Sequence, residues 1–356
     1  MKTAIIGLPM VGKTSLFTIL TGVHQEARIG STAVRTGVSK VPDDRLGALA
    51  AIFEPPKVTH AVVEYLDVPA VSKESLREGS YLASLRVVDA FAHVVRVFED
   101  ETVPHEFGSV DPVRDIDNVE TELILSDLVV IEKRLERLDK DRKKVKNPEL
   151  DREAELLYKC KEMLEASTPL RQLELDPEDD RRLRGFQFLS QKPMLYVLNL
   201  GEGDAPALHQ KEEAFRATIH ARPNTAVTAV CGKIEAELAE LSPEEAKELM
   251  DSYGLAEPGL NRIISATYTL LGLMSFLTAG ETEVRAWTIP IGSTAVKAAG
   301  AIHTDFEKKF IRAEVVNWQP LVDHKGYPGV REKGLLRLEG KEYVVKDGDV
   351  LVIRHG

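Results

Sequence analysis

The segment GLPMVGKT, residues 7–14, determines how the rest of this sequence is interpreted, because it fits the pattern G-x-x-x-x-G-K-[ST]. The apolar run TAIIG at 3–7 leads into it, and the helical pattern SLFTILTG at 15–22 follows it. A strand, a glycine-containing loop and a helix in this order form a phosphate-binding loop, because backbone N–H groups and the helix N-terminus turn toward an anion. The complete motif in this context argues against the alternative, a turn that binds nothing.

The side chains of this loop have predictable roles. Lys13 is expected to reach the β- and γ-phosphates of a nucleotide, and the Thr14 hydroxyl to bind Mg²⁺. Asp67 ends the apolar run VVEYLD at 62–67 and is the second candidate magnesium ligand. A strand-end Asp alone often only caps a turn, but beside a phosphate-binding loop it indicates a metal site. The predicted cofactors are Mg²⁺ and a nucleotide, ATP or GTP, contacted by Pro9, Met10, Val11, Gly12, Lys13, Thr14 and Ser15.

Short apolar runs alternate with helical stretches through the first two-thirds of the chain. They read TAIIG at 3–7, VVEYLD at 62–67, AFAHVVRVF at 90–98, MLYVLN at 194–199 and AVTAV at 226–230. This alternation predicts an α/β fold with a parallel sheet and crossover helices, here a P-loop NTPase domain over residues 1–277. Ligands of such sheets bind beyond the carboxyl ends of the strands.

A different pattern interrupts this domain. Apolar residues follow a heptad spacing, and Asn147-Pro148 indicates the end of one helix and the start of another. We predict an antiparallel coiled-coil hairpin inserted at about 119–190. Its tip, KRLERLDKDRKKVK at 133–146, carries eight basic and three acidic residues. Such a charge run is usually a solvated surface, but a basic tip on an acidic protein could also contact an anionic partner. The heptad positions are Ile124, Leu128, Ile131, Leu135 and Leu138.

The C-terminal region, residues 278–356, has the pattern of a small α+β domain with a mixed sheet. Its candidate strands are VRAWTI at 284–289, IRAEVV at 311–316, YVV at 343–345 and DVLVIR at 349–354. Before it, the run IISATYTLLGLMSFLTAG at 263–280 is uncharged and just long enough to span a membrane. Its serines and threonines and the lack of a basic flank favour one buried helix instead.

The stretch YVLNLGEGD at 196–204 is a candidate base-binding loop. Asn199 can contact a purine edge, but Leu200 and Glu202 replace the Lys and Asp of guanine-specific Asn-Lys-x-Asp loops. Glu202 is one methylene longer than the Asp that accepts from guanine. We therefore expect weakened selection for guanine, with adenine tolerated or preferred; a plain turn is the alternative. A weaker signal is VCGKIEAEL at 230–238, where Cys231 and Gly232 would let backbone N–H groups approach the base.

Composition excludes several classes of protein. The chain has 356 residues, 43% of them hydrophobic and 29% charged, and a formal net charge of −11. An acidic chain of this kind is not a general nucleic-acid binder, and sequence-specific DNA is not an expected partner. A membrane is not expected either, because the one uncharged run of spanning length is better explained as a buried helix. The only two cysteines, Cys160 and Cys231, form no disulfide framework or metal-ligand spacing, which favours the reducing cytoplasm.

Taken together, these motifs resemble the Obg-like ATPases, the YchF-type branch of the translation-factor-related P-loop GTPases. The resemblance spans nearly the whole chain. It implies a G-type nucleotide domain, a TGS domain of β-grasp fold at 278–356, and slow Mg²⁺-dependent hydrolysis of ATP as a conformational switch. It further implies stress-linked regulation of translation and association with the ribosome through the coiled-coil tip and the TGS domain. It rests on VGKTSLF at 11–17, Asp67, Asn199 with Glu202, NVETEL at 118–123 and FLTAGETEVRAWTIPIGSTAVKAAGAIHTDFEKKFIRAEV at 276–315.

The chain departs from this family at three places. Met10 stands where the family usually has Asn, and Ala70 where it has the glycine of Asp-x-x-Gly. The switch region ARIGSTAVRTG at 27–37 also differs, so both Ser31 and Thr32 stay open as magnesium ligands.

The water-positioning residue is a further question. Many GTPases use a Gln at the position of Val71, which cannot hold a water. The resemblance suggests His105, in the loop EDETVPHEFGSVDP at 99–112, as the catalytic group; an exposed loop histidine without a role is the alternative.

These residues suggest one leading function and two alternatives. The leading hypothesis is a slow ATPase switch that could also accept GTP. A nucleotide-sensing, ribosome-binding scaffold with negligible hydrolysis is the second, favoured by Met10 and Ala70. A P-loop kinase is disfavoured, because no arginine-bearing lid is evident in the sequence.

Overall fold

The computed structural model describes residues 1–23, 34–219 and 222–356. Its internal contacts divide the chain into two compact units. The first comprises Met1–Val38 and Glu64–Leu270, and the second comprises Ser39–Val63 and Leu271–Gly356. The division thus differs from the expected boundary after residue 277, and a segment near the N-terminus groups with the C-terminal unit.

Strands and α-helices of the described residues are numbered in chain order. The strands are β1 Lys2–Ile6, β2 Arg35–Lys40, β3 Val58–Thr59, β4 Val62–Asp67, β5 Ala90–Arg96, β6 Met194–Asn199, β7 Thr225–Val230, β8 Leu273–Ala279, β9 Val284–Pro290, β10 Phe310–Asn317, β11 Arg337–Glu339 and β12 Asp349–His355. The helices are α1 Lys13–Thr21, α2 Asp44–Phe53, α3 Gly79–Arg86, α4 Pro112–Arg142, α5 Pro148–Glu165, α6 Pro177–Leu183, α7 Leu208–Thr218, α8 Gly232–Leu238, α9 Pro243–Tyr253, α10 Gly259–Leu270, α11 Ala295–Ile302, α12 Thr304–Lys308, α13 Trp318–Asp323 and α14 Tyr327–Glu332.

The first sheet has the strand order β2-β4-β1-β5-β6-β7. Pairing is parallel between β4 and β1, β1 and β5, β5 and β6, and β6 and β7. The α/β fold predicted from the five apolar runs is therefore confirmed. The sequence RTGVSK of β2 was not predicted as a strand, because this edge strand lacks an apolar run.

The inserted helical hairpin is also confirmed, as α4 and α5. Helix α4 begins before residue 119, because Asp111 caps it by accepting from Arg114 N and Pro112 occupies its first turn. Asn147 caps α5 by accepting from Glu149 N, as the Asn-Pro signal predicted. The buried seam between the helices contains Ile124, Ile131, Leu135, Leu138, Ala154, Leu157, Cys160 and Leu164.

Buried polar contacts join the base of this hairpin to the chain before β6. Asp127 accepts from the backbone N–H groups of Leu189 and Ser190 at 2.9 and 2.8 Å and from the Ser190 hydroxyl at 2.7 Å. Burial raises the pKa of Asp127 to about 6. Nearby, Arg171 Nη1 donates to Glu120 Oε2 at 2.6 Å. These contacts fix the N-terminal half of α4 in the nucleotide-domain unit.

The second unit contains a mixed sheet of order β11-β10-β12-β8-β9-β3. Strands β8 and β9 form an antiparallel hairpin, β12 lies parallel to β8, and β10 lies antiparallel to β12. Helix α11 packs its alanines onto this sheet beside Phe276, Val315 and Leu351. The last strand, β12, lies in the middle of the sheet beside β8, the first strand of the C-terminal region, which is the β-grasp arrangement, as predicted. The predicted strand at 343–345 is wrong, since Val344 forms only an isolated bridge with Thr294.

The prediction of one buried helix over 263–280 is wrong as well. Helix α10 ends at Leu270 and strand β8 begins at Leu273. Between them Gly272 has a φ of +64°, a left-handed conformation that ends helices readily. Hydrophobicity alone could not separate these two buried elements. Among the described residues, no helix is long and apolar enough to cross a membrane.

Candidate nucleotide site

Two glycines of the segment 7–14 have conformations and surroundings that exclude a side chain. Gly7 has a φ of +145°, and a Cβ there would lie 2.6 Å from the Val94 carbonyl oxygen. Gly12 has a φ of +96°, and its Cβ would lie 2.6 Å from Asn199 Nδ2. The loop that joins β1 to α1 can therefore form in this geometry only with glycine at both positions.

Met10 adopts a φ of +59°, which is unusual for a residue other than glycine. Its side chain is 55% exposed, so burial does not compensate for the strain. Asn and Asp populate this left-handed region more readily than Met does, and the cost for other residues is about 1–2 kcal/mol. Asn would suit this backbone better, so Met10 makes this loop conformation less favourable.

Lys13 is buried at the start of α1. Its Nζ donates to the Leu8 carbonyl oxygen at 2.6 Å, across the loop. Burial lowers the pKa of Lys13 from 10.5 to about 8, and the charge of Asp67 offsets part of this effect. An anion in the loop would favour the charged lysine and raise this pKa again.

Thr14 and Asp67 meet at the carboxyl end of β4. Thr14 Oγ1 donates to Asp67 Oδ2 at 3.0 Å, and Asp67 is buried. A hydroxyl and a carboxylate are oxygen ligands of the kind that Mg²⁺ takes together with phosphate oxygens, so this donor set fits the predicted metal. Ser31 and Thr32, the other magnesium-ligand candidates, lie outside the described residues.

Arg35 is a residue of this site that the sequence did not indicate. Its Nη2 donates to the same Asp67 Oδ2 that Thr14 contacts, and its guanidinium lies 5.5 Å from the centre of the Phe17 ring. A metal ion binding to Asp67 would therefore compete with the guanidinium for one oxygen. Only the position of β2 beside β4 brings Arg35 here.

Asn199 connects two loops at the carboxyl ends of the strands. Its Nδ2 donates to the Val11 carbonyl oxygen at 3.0 Å, and its Oδ1 accepts from Gly232 N at 3.0 Å. The buried amide thus joins the 7–14 loop to the start of α8. The amide nitrogen carries two hydrogens, so the bond to Val11 leaves one for a ligand.

Beside Asn199 lies an open cavity of about 520 Å³. It contains several predicted base-loop residues together with Phe98 and Lys233, which the sequence did not single out. Cys231 is not among its lining residues; its side chain is buried with Ala205 and Ile234, and burial raises its pKa. The lining residues are Gly12, Ser15, Leu16, Phe98, Glu99, Asp100, Val103, Asn199, Leu200, Gly201, Glu202, Gly203, Gly232, Lys233 and Ala236.

Arg96 organises one wall of this cavity. Its buried guanidinium donates to the carbonyl oxygens of Phe98 at 3.1 Å and Val103 at 3.0 Å, and its Cζ lies 4.4 Å from the centre of the Phe98 ring. Within the described ranges, no carboxylate oxygen lies within the 4.0 Å of an ion pair with Arg96. Its charge is instead used to hold the loop after β5, and with it the Phe98 ring.

His105 is held tightly rather than exposed. Its side chain is 6% exposed, and its Nε2 lies 2.9 Å from Asp115 Oδ2. The Phe107 N–H donates to Nδ1 at 3.1 Å, which places the ring proton on Nε2, facing Asp115. The alternative of an exposed loop histidine is therefore wrong. However, both ring nitrogens are already engaged, so accepting a hydrogen bond from a water would require Nδ1 to give up the Phe107 N–H.

The segment after Asp67 is tied to the 7–14 loop through its backbone. The Val71 N–H donates to the Gly7 carbonyl oxygen at 3.3 Å, and Val71 itself is buried. Ser75 Oγ donates to the Ala70 carbonyl oxygen at 3.1 Å. Val71 is therefore a packing residue, and its buried apolar side chain cannot orient a water.

Comparison with known proteins identifies the group to which the chain belongs. The family model YchF-GTPase_C, described as "Protein of unknown function (DUF933)", matches residues 273–356. The ribosome-binding ATPase YchF of Escherichia coli O157:H7 is 42% identical, with 98% of each chain covered. The protein of the same name from Bacillus subtilis (strain 168) is 40% identical, with 99% of each covered. The Schizosaccharomyces pombe YchF GTPase structure superposes with a TM-score of 0.85 and 29% identity, covering 99% of this chain and 97% of that one. With this identity over nearly its full length, the chain belongs to the YchF family.

Proposed function

We propose that this chain is a cytoplasmic, Mg²⁺-dependent ATPase that hydrolyses ATP slowly and acts as a ribosome-associated conformational switch. The observation that carries the proposal is the juxtaposition of buried Lys13, the Thr14–Asp67 pair and the cavity beside Asn199. The names of the relatives, ribosome-binding ATPases, support both the activity and the partner.

Each residue has a defined task in this proposal. The N–H groups of the 7–14 loop and Lys13 hold the phosphates, and the Thr14 and Asp67 oxygens hold Mg²⁺, which neutralises charge on the phosphate oxygens during transfer. The base occupies the cavity between Phe98 and the Asn199–Glu202 loop. Arg35 gives up Asp67 Oδ2 when the metal binds, since two cations cannot share that oxygen without repulsion.

Base preference is the first test of the site. We expect ATP to bind at least as tightly as GTP, because Glu202 is one methylene longer than the Asp of guanine-specific loops and pairs with Lys233 3.3 Å away. Glu202→Asp should shift selectivity toward GTP by about 1 kcal/mol, or roughly fivefold, in titrations of both nucleotides. Asp204→Glu, a carboxylate change in the same turn, is the control and should leave the ratio unchanged. Wild-type protein that prefers GTP by about tenfold would contradict the assignment.

His105 is the proposed water-positioning group. His105→Ala should lower kcat about tenfold or more while the affinity for ATP stays within a factor of about two. His209→Ala, which removes an exposed histidine from α7, should leave kcat unchanged. A His105→Ala protein with the wild-type rate in single-turnover assays would exclude this role.

A nucleotide-binding scaffold without significant hydrolysis is the second candidate function. Two observations favour it: Val71 is buried where many GTPases have Gln, and Met10 strains the phosphate loop. Single-turnover hydrolysis with and without ribosomes separates the two functions. If ATP bound to the protein in the presence of ribosomes dissociates before any of it is hydrolysed, the scaffold function is established.

The proposed ribosome contact involves the hairpin tip and the TGS domain. Several tip cations are already paired within the hairpin, such as Arg142 with Asp151 at 2.6 Å, whereas Lys143 has no ion pair within the described residues. Reversing Arg142, Lys143 and Lys144 to Glu should weaken ribosome co-sedimentation and make it less salt-dependent, because contacts to phosphates would be lost.

The control for this prediction reverses three lysines outside the hairpin and the TGS domain with the same change in charge: the exposed Lys2 and Lys247 and the half-buried Lys211. That variant should sediment like the wild type, and both variants should bind ATP normally. If the two variants lose equal amounts of ribosome binding, net charge rather than the tip is responsible.

A further inference from the structure

Helix α4 has a second apolar face besides its seam with α5. Leu125 and Val129, one turn apart, are 47% and 49% exposed. They face a slot of about 440 Å³ whose opposite wall is formed by the segment 73–77 and by α3. Leu76, Leu82 and Val130 add to its apolar surface. This feature, called here the α3–α4 slot, is thus an apolar trough between two helical walls, the geometry into which a third helix packs.

The rim of the α3–α4 slot is basic. Lys73, Arg77, Arg86 and Lys133 line it, with Glu122 as its one acidic residue. In the part of the chain that the structure describes, none of these four cations has a carboxylate oxygen within 4.0 Å. Elsewhere on the hairpin, arginines pair with nearby acids, as Arg134 does with Glu153 at 2.7 Å. In a chain with a net charge of −11, four unpaired cations around one apolar trough form a distinct complementary surface for an acidic ligand.

The slot is also connected to the phosphate loop by hydrogen bonds. Gly7 O accepts from Val71 N, and Ala70 O accepts from Ser75 Oγ, which begins the turn Ser75–Arg77 in the slot wall. The Tyr81 hydroxyl of α3 donates to the Pro69 carbonyl oxygen at 3.1 Å. A displacement of the 69–71 backbone would therefore move Leu76 and Arg77 on one wall, while α4 on the other is fixed by Asp127.

We propose that the α3–α4 slot is the docking site for an acidic amphipathic helix of a protein partner, and that its affinity changes with the occupancy of the phosphate loop. The apolar floor favours a helix over nucleic acid, because a phosphate backbone gains nothing from Leu125 and Val129. The basic rim selects Glu and Asp flanking the apolar stripe of that helix. The docking follows from the slot alone, whereas its coupling to nucleotide rests on the proposed function.

The test uses the full chain and a labelled synthetic helix of about 16 residues, with leucines on one face and glutamates beside them. Fluorescence anisotropy measures its binding to nucleotide-free protein. A peptide with lysines in place of the glutamates and a single-stranded RNA of about 16 nucleotides are the other probes. Two variants alter the slot, Leu125→Asp and the double change Lys73→Glu with Arg77→Glu. Lys143→Glu with Lys144→Glu is the matched control at the hairpin tip.

We expect the acidic helix to bind at least about tenfold more tightly than the basic one. Each slot variant should weaken the binding of the acidic helix about tenfold. The tip control should change it by less than about twofold. Both slot variants alter exposed positions, and circular dichroism verifies their folding. Equal binding of the two peptides, or slot variants that bind like the wild type, overturns the docking site. If the slot variants lose binding of the RNA but keep binding of the peptide, the docking site is overturned and the slot is a nucleic-acid surface.

The coupling is measured by repeating the titration with Mg²⁺ and a non-hydrolysable ATP analogue. We expect the Kd of the acidic helix to change about threefold or more, a coupling of typical size for two linked sites. Saturation with the analogue without any change in peptide affinity overturns the coupling. An analogue that does not bind at all refutes the proposed function instead, and the docking site is then judged on the peptide titrations alone.

Discussion

Replacing Lys13 with alanine should weaken binding of ATP by about 2–5 kcal/mol, or roughly 30- to 5,000-fold. The reason is that the buried lysine is the one cation within the 7–14 segment itself, and it would neutralise the β- and γ-phosphates. Isothermal titration measures the loss directly. The ATP-induced rise in melting temperature should disappear with it.

The unliganded Lys13→Ala protein should stay folded. Burial lowers the pKa of Lys13 in the folded state to about 8, so the charged lysine is less favourable there than in the unfolded chain, and removing it costs little stability. The control is Lys233→Ala, which removes an exposed lysine at the rim of the cavity beside Asn199. It should weaken the binding of ATP by less than about threefold. ATP that stabilises Lys13→Ala as much as the wild type would refute the phosphate-loop assignment.

The same pKa gives a pH dependence. Below pH 8 the free protein already carries the charged lysine, so the affinity for ATP should be nearly constant there. Above pH 8, binding must take up a proton, and the affinity should fall by up to about tenfold per pH unit. Lys13→Arg, whose side chain does not titrate in this range, should show no such decline.

Glu120→Gln should lower the free energy of unfolding of the first unit by about 3–5 kcal/mol. Arg171 is one of the largest fully buried side chains, and its Nη1 donates to Glu120 Oε2 at 2.6 Å. Glutamine keeps the shape but leaves the guanidinium without a counter-charge in a low-dielectric site. Urea unfolding followed by circular dichroism measures the loss.

The matched control is Glu153→Gln, which breaks the ion pair between Glu153 and Arg134 on the surface of the hairpin. Because both partners are partly exposed, this change should cost less than about 1 kcal/mol. Adding Arg171→Met to Glu120→Gln should recover part of the stability, since the orphaned charge is removed. Equal small losses from Glu120→Gln and Glu153→Gln would show that burial does not determine the strength of these pairs.

Much of the site was predictable because its signals are local. The residues from Gly7 to Thr14 are contiguous, and their conformation depends on glycines and on the helix that follows. The heptad positions of α4 and the Asn147 cap likewise act within a few turns of helix, so the hairpin could be predicted without knowledge of the sheet. Two predictions of this kind failed. In the run 263–280, Gly272 divides a helix from a strand of similar hydrophobicity, and the segment 343–345 forms only an isolated bridge instead of a strand.

The amino-acid sequence by itself determined the phosphate loop, the parallel sheet, the hairpin and a small C-terminal α+β domain, because periodicity and backbone conformation are properties of neighbouring residues. The β-grasp fold of that domain was implied by the family resemblance. Only the tertiary structure decided that Arg35 contacts Asp67, that Arg96 supports Phe98 and that Asp115 holds His105. A charged side chain is compatible with many partners in the sequence. Which partner it takes depends on the desolvation and distance that arise when remote segments pack together.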